Sequence, residues 1–282
     1  MSSVPTVMSY ALREALRRRV FLVVLLLTAG FLALYAVGVN AAFDSVNDFS
    51  GDPVDSEVIT GSTLFGLSMF TTLFLGAVLA VFLTLGAVRG DAERGLLQPL
   101  VVRPLGRTAL LAGRFAAAAL VCAVYVGAVY LSALLITGAI GGWWPDRVLA
   151  PGLGLVAGVS VIAGISLTGS VFLSATANGI AVFMVFGAGL AAGLLGQIGD
   201  ALSVDTLETV AKVSSWLLPF EALYQSGLDD LTADAGGATS VVVQLGPFGG
   251  AQDFGPLLWP WTLLYLALLG VAARAAFLRR DL

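Results

Sequence analysis

Residues 61–88 read G-S-T-L-F-G-L-S-M-F-T-T-L-F-L-G-A-V-L-A-V-F-L-T-L-G-A-V, and residues 89–107 continue R-G-D-A-E-R-G-L-L-Q-P-L-V-V-R-P-L-G-R. The first stretch carries no charge and exceeds the roughly 20 apolar residues that a helix needs to cross a bilayer. Its apolar residues run continuously instead of alternating, which excludes a β-barrel span. The second stretch holds six charged residues in nineteen positions, in a chain where only 11% of residues are charged. One span therefore ends at Val88, and a charged connection leads to the next.

The same pattern recurs along the 282 residues. The chain is 58% hydrophobic, well above the roughly 45–50% of soluble domains. Apolar runs fall at 20–39, 61–88, 108–138, 151–175, 178–198 and 256–277. They predict an all-α integral membrane protein with six transmembrane helices in one domain. Only Ala175, Thr176, Ala177 and Asn178 separate the fourth and fifth runs, which calls for a tight turn there.

Arginine placement sets the expected orientation, because basic residues accumulate in cytoplasmic loops. Arg13, Arg17, Arg18 and Arg19 precede the first span. Arg89, Arg94, Arg103, Arg107 and Arg114 surround the second connection, and Arg274, Arg279 and Arg280 follow or end the last span. With six spans these 12 of the 14 basic residues share one side, leaving only Arg147 and Lys212 on the other. Acidic residues do the reverse: Asp44, Asp48, Asp52, Asp55 and Glu57 crowd the first outer loop. Both termini are therefore expected in the cytoplasm of a cell-membrane protein. The first apolar run is too long for the core of a signal peptide, so no cleavage is expected. Residues 1–19 place Val7, Met8, Ala11, Leu12 and Leu16 at helical spacing, as in an interfacial helix lying on the membrane. Trp143, Trp144, Trp259 and Trp261 flank spans where interfacial aromatic anchors are expected.

Gly154 and Gly158 in the fourth span, and Gly189 and Gly193 in the fifth, recur at four-residue spacing. Small residues so spaced let helices approach closely in lipid. Two readings follow: the fourth and fifth spans pack on each other, or the glycines form a surface on which helices slide. Residues 199–255 are too long for a passive loop. Asp205 and Glu208 have the spacing of a capping box, and Pro219 stops or bends the helix that follows. Glu221 to Ser226 makes a second short turn closed by Gly227, and Val241 to Val243 is strand-like. These outer helices are expected to be amphipathic and partly re-entrant.

Several chemistries are absent. The chain has no histidine, which removes histidine-dependent hydrolases and H-E-x-x-H metal sites. Its lone Cys122 forms no intrachain disulfide. Its only lysine, Lys212, lies in Ala-Lys-Val-Ser and not in a phosphate-binding G-x-x-x-x-G-K-[ST] loop. The spans are almost free of ionisable groups, whereas ion-coupled transporters carry them at membrane depth. Arg114 sits near the inner end of the third span, and Glu221 lies in the outer segment. No enzyme activity, metal or nucleic-acid partner is expected, and any driving energy must arrive from another subunit.

The connection at 89–107 is more than a solvated loop. Leu96, Leu97, Leu100, Val101 and Val102 are too apolar for one, and Pro99 and Pro104 fix its geometry. A short amphipathic piece of this kind suits docking into a partner's groove. Glu93-Arg94-Gly95-Leu96-Leu97, then Arg103-Pro104-Leu105-Gly106-Arg107 and Gly113-Arg114, resembles the cytoplasmic signature of type-2 ABC transporter permeases. The resemblance extends to the basic N-terminal helix, the six spans, the long outer segment and the C-terminal Phe277-Leu278-Arg279-Arg280-Asp281-Leu282. It is greatest for the branch grouped with multi-copper-enzyme maturation, although no Cys, His or Met cluster here suits copper. Leu96 and Arg114 stand where that pattern has Thr and Lys. The resemblance implies a permease subunit, an exporter by expectation, that forms a homodimer in the lipid bilayer. Each copy would engage a separate ATP-binding subunit holding ATP and Mg, this chain having no cofactor of its own. Residues 89–107 would be the coupling segment, with Arg89, Asp91, Glu93, Arg94, Leu97 and Arg103 as partner contacts. The alternative is a non-transporting membrane scaffold or mechanical transmitter for an enzyme-maturation complex.

Overall fold

Inside a bilayer an unpaired backbone N–H or C=O costs several kcal/mol, so each apolar run must pair its own backbone as a helix. The computed structural model describes residues 3–17, 19–47, 56–85, 107–233 and 251–279. Among the described residues there are nine α-helices and no strand. They are α1 (Ser3–Arg17), α2 (Arg19–Asn47), α3 (Ser56–Thr84), α4 (Arg107–Gly141), α5 (Leu149–Phe172), α6 (Ala175–Leu202), α7 (Asp205–Leu217), α8 (Pro219–Asp229) and α9 (Leu258–Leu278). Six of them, α2 to α6 and α9, are long and apolar enough to cross a membrane. The strand-like Val241 to Val243 lies outside the described residues.

The spans are not equivalent. In its most apolar window α3 is 67% buried and α5 61%, against 22% for α2 and 17% for α9. α3 and α5 are thus the central pillars, and α2 and α9 leave most of their surface uncovered by the rest of the chain. At the crossing of α3, α4 and α5, a Cβ on Gly76 would lie 2.8 Å from Val159 and 2.9 Å from Val126. Two interhelical hydrogen bonds tie α2 to α4: Thr28 with the Tyr125 hydroxyl, and Tyr35 with Thr137 at 2.6 Å. Such bonds hold helices together where lipid supplies no hydrophobic drive.

The amphipathic α1 packs on the start of α4, where a Cβ on Gly113 would meet Val7 at 2.8 Å. Val7 joins Leu110, Leu111, Leu167, Val171, Ala273 and Phe277 in a separate apolar cluster. This cluster marks the end of the bundle shared by α1, the α3–α4 connection and the end of α9, here termed the connector end. α7 and α8 occupy the far end.

The structure departs from the sequence reading in several places. The break between the fourth and fifth spans falls at Leu173 and Ser174, so Ala175 to Asn178 form the first turn of α6. Asn178 is pulled into the bundle as a buried polar residue, which fixes that turn as helix. The residue capping α7 is Val204, not Asp205, and no side chain caps the helix; Asp205 instead lends its carbonyl to Thr209. Gly227 does not end α8, which continues to Asp229; it sits where a Cβ would meet Met69 at 3.1 Å and Pro151 at 3.3 Å. Trp143 is no interfacial anchor: it is 9% exposed, meets the Phe65 ring at a tilt and lies against Gly61. Trp144 and Trp259 are the exposed tryptophans, while Trp261 donates its ring N–H to Trp216 O at 2.8 Å. Asp44 lies inside the last turns of α2, where it accepts a hydrogen bond from Asn40 at 2.9 Å.

Gly76→Leu is expected to destabilise the protein by about 1–3 kcal/mol, because two valines on two helices must give way. Gly30→Leu, with nothing within 4 Å of its Cβ position, should change stability by less than about 0.5 kcal/mol. Thermal unfolding in detergent compares the two, and equal effects would contradict the packing described.

Candidate functional site

The six candidate partner contacts, Arg89, Asp91, Glu93, Arg94, Leu97 and Arg103, lie outside the described residues. What the structure defines is where their segment is rooted. It leaves the end of α3 at Thr84 and enters α4 at Arg107.

That root is tied into the bundle by polar side chains. Thr84 donates to Ser166 Oγ at 2.7 Å, and Asn178 Nδ2 donates to Ser166 O at 2.9 Å. All three residues are buried. One side chain each from α3, α5 and α6 thus forms a knot at the connector end, directly beside the connection. Gly169 is required there, since a Cβ would collide with Asn178 Oδ1. That oxygen finds no hydrogen-bond partner among the described residues.

At the far end α8 is wedged against α5 and α6. The glycine faces read from sequence meet this helix. A Cβ on Gly154 would lie 3.0 Å from Leu223 O, and one on Gly158 would lie 3.4 Å from Phe220 O. On α6, a Cβ on Gly189 would lie 2.6 Å from the Phe220 ring, and one on Gly193 would collide with Glu221 Oε1. So α5 gives up side chains to α8 backbone, and α6 gives up side chains to α8 side chains. Further along α6, Gly196 and Gly199 make room for α7 at Ala211 and Glu208. Gly158 is the tenth residue of α5. At 1.5 Å per residue, Phe220 therefore reaches about 14 Å along the span, near the middle of a hydrocarbon layer about 30 Å thick.

A non-spanning helix tolerates that depth only when it is enclosed by protein. Residues 219–225 are all buried. Tyr224 donates its hydroxyl to Gly66 O on α3 at 3.3 Å, and Phe220 stacks on Phe186 with ring centroids 5.5 Å apart. At the mouth, Arg147 pairs with Asp230 at 2.7 Å.

Within this wedge lies a carboxyl group whose burial was not legible in the sequence. Glu221 is 1% exposed; Gln225 Nε2 donates to its Oε1 at 3.1 Å, and its Oε2 has no hydrogen-bond partner among the described residues. Helix α8 lies outside the six spans. Burial pushes the Glu221 carboxyl up to about 8, with the Gln225 hydrogen bond opposing. The group is therefore mostly protonated near neutrality, which removes the cost of burying a charge. The available signal was the pairing of Glu221 and Gln225 at i,i+4 with Gly189 and Gly193 at the same spacing. Neither is diagnostic without knowing that α8 turns inward. Asn178, Ser166 and Thr84 likewise gave no signal beyond being polar near span ends.

The pH dependence follows from the raised carboxyl. Below pH about 4.5 both folded and unfolded chains hold the proton, and the buried neutral form has its full stability. Between about 4.5 and about 8 only the folded chain holds it, so rising pH favours unfolding. Above about 8 the buried carboxylate carries its full penalty. Asp229 is raised too, by burial and then by Asp253 and Asp230, with Arg147 opposing; it acts in the same direction. The difference between wild type and Glu221→Gln isolates the buried group. The wild-type melting temperature should fall from pH 5 to pH 8, and Glu221→Gln should flatten that fall; parallel curves would refute the assignment.

A family description, ABC-2 family transporter protein, matches residues 6–282. No curated protein matches the chain. The match spans α1, all six membrane-length helices, the wedge and the connection between α3 and α4. The chain belongs to the ABC-2 transporter family, as a multi-pass membrane permease subunit of an ABC transporter.

Proposed function

We propose that this subunit works as a homodimeric exporter driven by a separate ATP-binding subunit, with residues 89–107 as the coupling segment. Family membership carries the reading, since ABC-2 permeases normally pair with an ATP-binding subunit. The absence of a G-x-x-x-x-G-K-[ST] loop agrees with that division of labour. On this reading the connector end faces the cytoplasm of a cell-membrane protein, as the sequence positions of 12 of the 14 basic residues, on one side of a six-span chain, support.

ATP and Mg would be bound by the partner, and the energy of closing its nucleotide sites would reach this chain at Arg89, Asp91, Glu93, Arg94, Leu97 and Arg103. The knot of Thr84, Ser166 and Asn178 offers the load path. A displacement of the end of α3 is shared at once with α5 and α6. Those two helices hold α8 between their glycine faces at the far end. Tilting them would loosen or tighten the wedge, opening a path for substrate next to it.

Charge reversal tests the docking role. Glu93→Lys together with Arg94→Glu should weaken association with the ATP-binding subunit by at least about tenfold, the size expected for losing a close charge pair. Transport should fall while thermal unfolding of the permease stays unchanged. Co-purification of the double variant with its ATPase at wild-type yield would refute the assignment.

A further inference from the structure

At the connector end, a partly open groove of about 350 Å³ lies between α4, α5 and α9, within the roughly 300–1,000 Å³ range of small-molecule sites. Its walls are largely apolar: Leu111 and Phe115 from α4, Leu167 from α5, Leu269 and Gly270 from α9. Its polar lining residues are Thr108, Thr168, whose hydroxyl donates to Gly164 O at 2.8 Å, and Arg274, one turn beyond Gly270 on α9. The Arg274 side chain lines the groove, is exposed, and has no ion-pair partner among the described residues.

The depth of this arginine is set by its neighbours. The amphipathic α1, read from its sequence pattern as an interfacial helix, buries Val7 against Leu111, Leu167, Ala273 and Phe277. Leu111, Leu167 and Ala273 also line the groove. The interfacial helix and the mouth of the groove are therefore at one level, where lipid phosphates lie. A largely apolar slot running from that level toward the bilayer centre, with one guanidinium among its described lining residues, complements an acyl chain joined to an anionic headgroup. Basic pockets between transmembrane helices on the cytoplasmic side bind such headgroups, and an arginine fork suits phosphate oxygens better than a lysine point charge. The slot is open beside Gly270, where a Cβ would meet nothing within 4 Å.

We propose that this groove binds one anionic phospholipid of the cytoplasmic leaflet, its phosphate on Arg274 and an acyl chain along Gly270 and Leu269. The choice of leaflet rests on the orientation given under Proposed function; the site itself does not.

The test uses the full chain purified in a mild detergent, titrated with phosphatidylglycerol or with phosphatidylcholine of the same acyl chains. Phosphatidylglycerol should raise the melting temperature by on the order of 5 °C more than phosphatidylcholine. Arg274→Gln should abolish the difference and Arg274→Lys should keep part of it. Gly270→Leu should abolish it by filling the slot, without lowering the melting temperature of the lipid-free protein. Equal stabilisation by the two lipids, or an Arg274→Gln variant that responds like wild type, would overturn the proposal. Inorganic phosphate reproducing the whole effect would overturn it as well, assigning the arginine to a free anion. The readout needs neither the ATPase nor transport, so a negative result here leaves the permease reading standing. A failure of ATPase association leaves this site standing in turn.

Discussion

The arrangement depends on one constraint: a helix that enters the membrane without crossing it must be enclosed by protein. α8 reaches about halfway along α5, and lipid there would solvate neither its first turn nor its polar side chains. Enclosure requires neighbours that come close, and close approach requires positions without side chains. α5 meets this by exposing backbone at Gly154 and Gly158 to the carbonyls of Leu223 and Phe220. α6 meets it by yielding the volume of two side chains to Phe220 and Glu221. The four glycines are thus spent on a third element between the two helices, which explains why α5 and α6 can be adjacent in sequence across a two-residue break and still diverge at the far end.

Enclosure also decides the chemistry of Glu221. A buried carboxylate needs a cation, and the far-end segments offer only Arg147 and Lys212. Arg147 is engaged with Asp230 at the mouth, and Lys212 is exposed on α7. The remaining way to keep the group buried is to keep its proton, and burial raises the carboxyl enough to do so near neutral pH. Tyr224, next to it on α8, is shifted upward as well, by burial first and then by the Glu221 charge. The buried first turn of the wedge is therefore polar inside without a cation beside it among the described residues.

Legibility followed the physics of each feature. Continuous apolar runs announced the six spans, because the bilayer imposes length and composition together. The amphipathic N-terminal helix was equally plain, since Val7 and its spacing partners have no use on a polar face. The glycine pairs announced close approach, but not what approaches: spacing on one helix carries no information about its neighbour. Trp143 was misplaced for the same reason, because a tryptophan at a span end suits an interface or a gap opposite Gly61, and only packing decides. Asp205 failed as a cap because the helix begins one residue earlier than a capping pattern places it, with Val204 in extended backbone. Glu221 was read as an outer-segment acid because nothing in its neighbours reports how far α8 dips.

The knot and the wedge sit at opposite ends of the bundle but share two helices. α5 contributes Ser166 to the knot beside the α3–α4 connection, and Gly154 and Gly158 to the wedge. α6 contributes Asn178 to the knot, and Gly189 and Gly193 to the wedge. Hydrogen bonds between helices in a membrane are individually modest, about 0.6–2 kcal/mol, so the knot can be rearranged without unfolding anything. The wedge is different in kind: its contacts are backbone and ring surfaces without slack, and close-packed interfaces respond to displacement by changing state instead of deforming gradually. A compliant joint at one end of two stiff helices and a tight socket at the other is a lever. On the proposed reading, the joint lies at the end where the partner subunit would push.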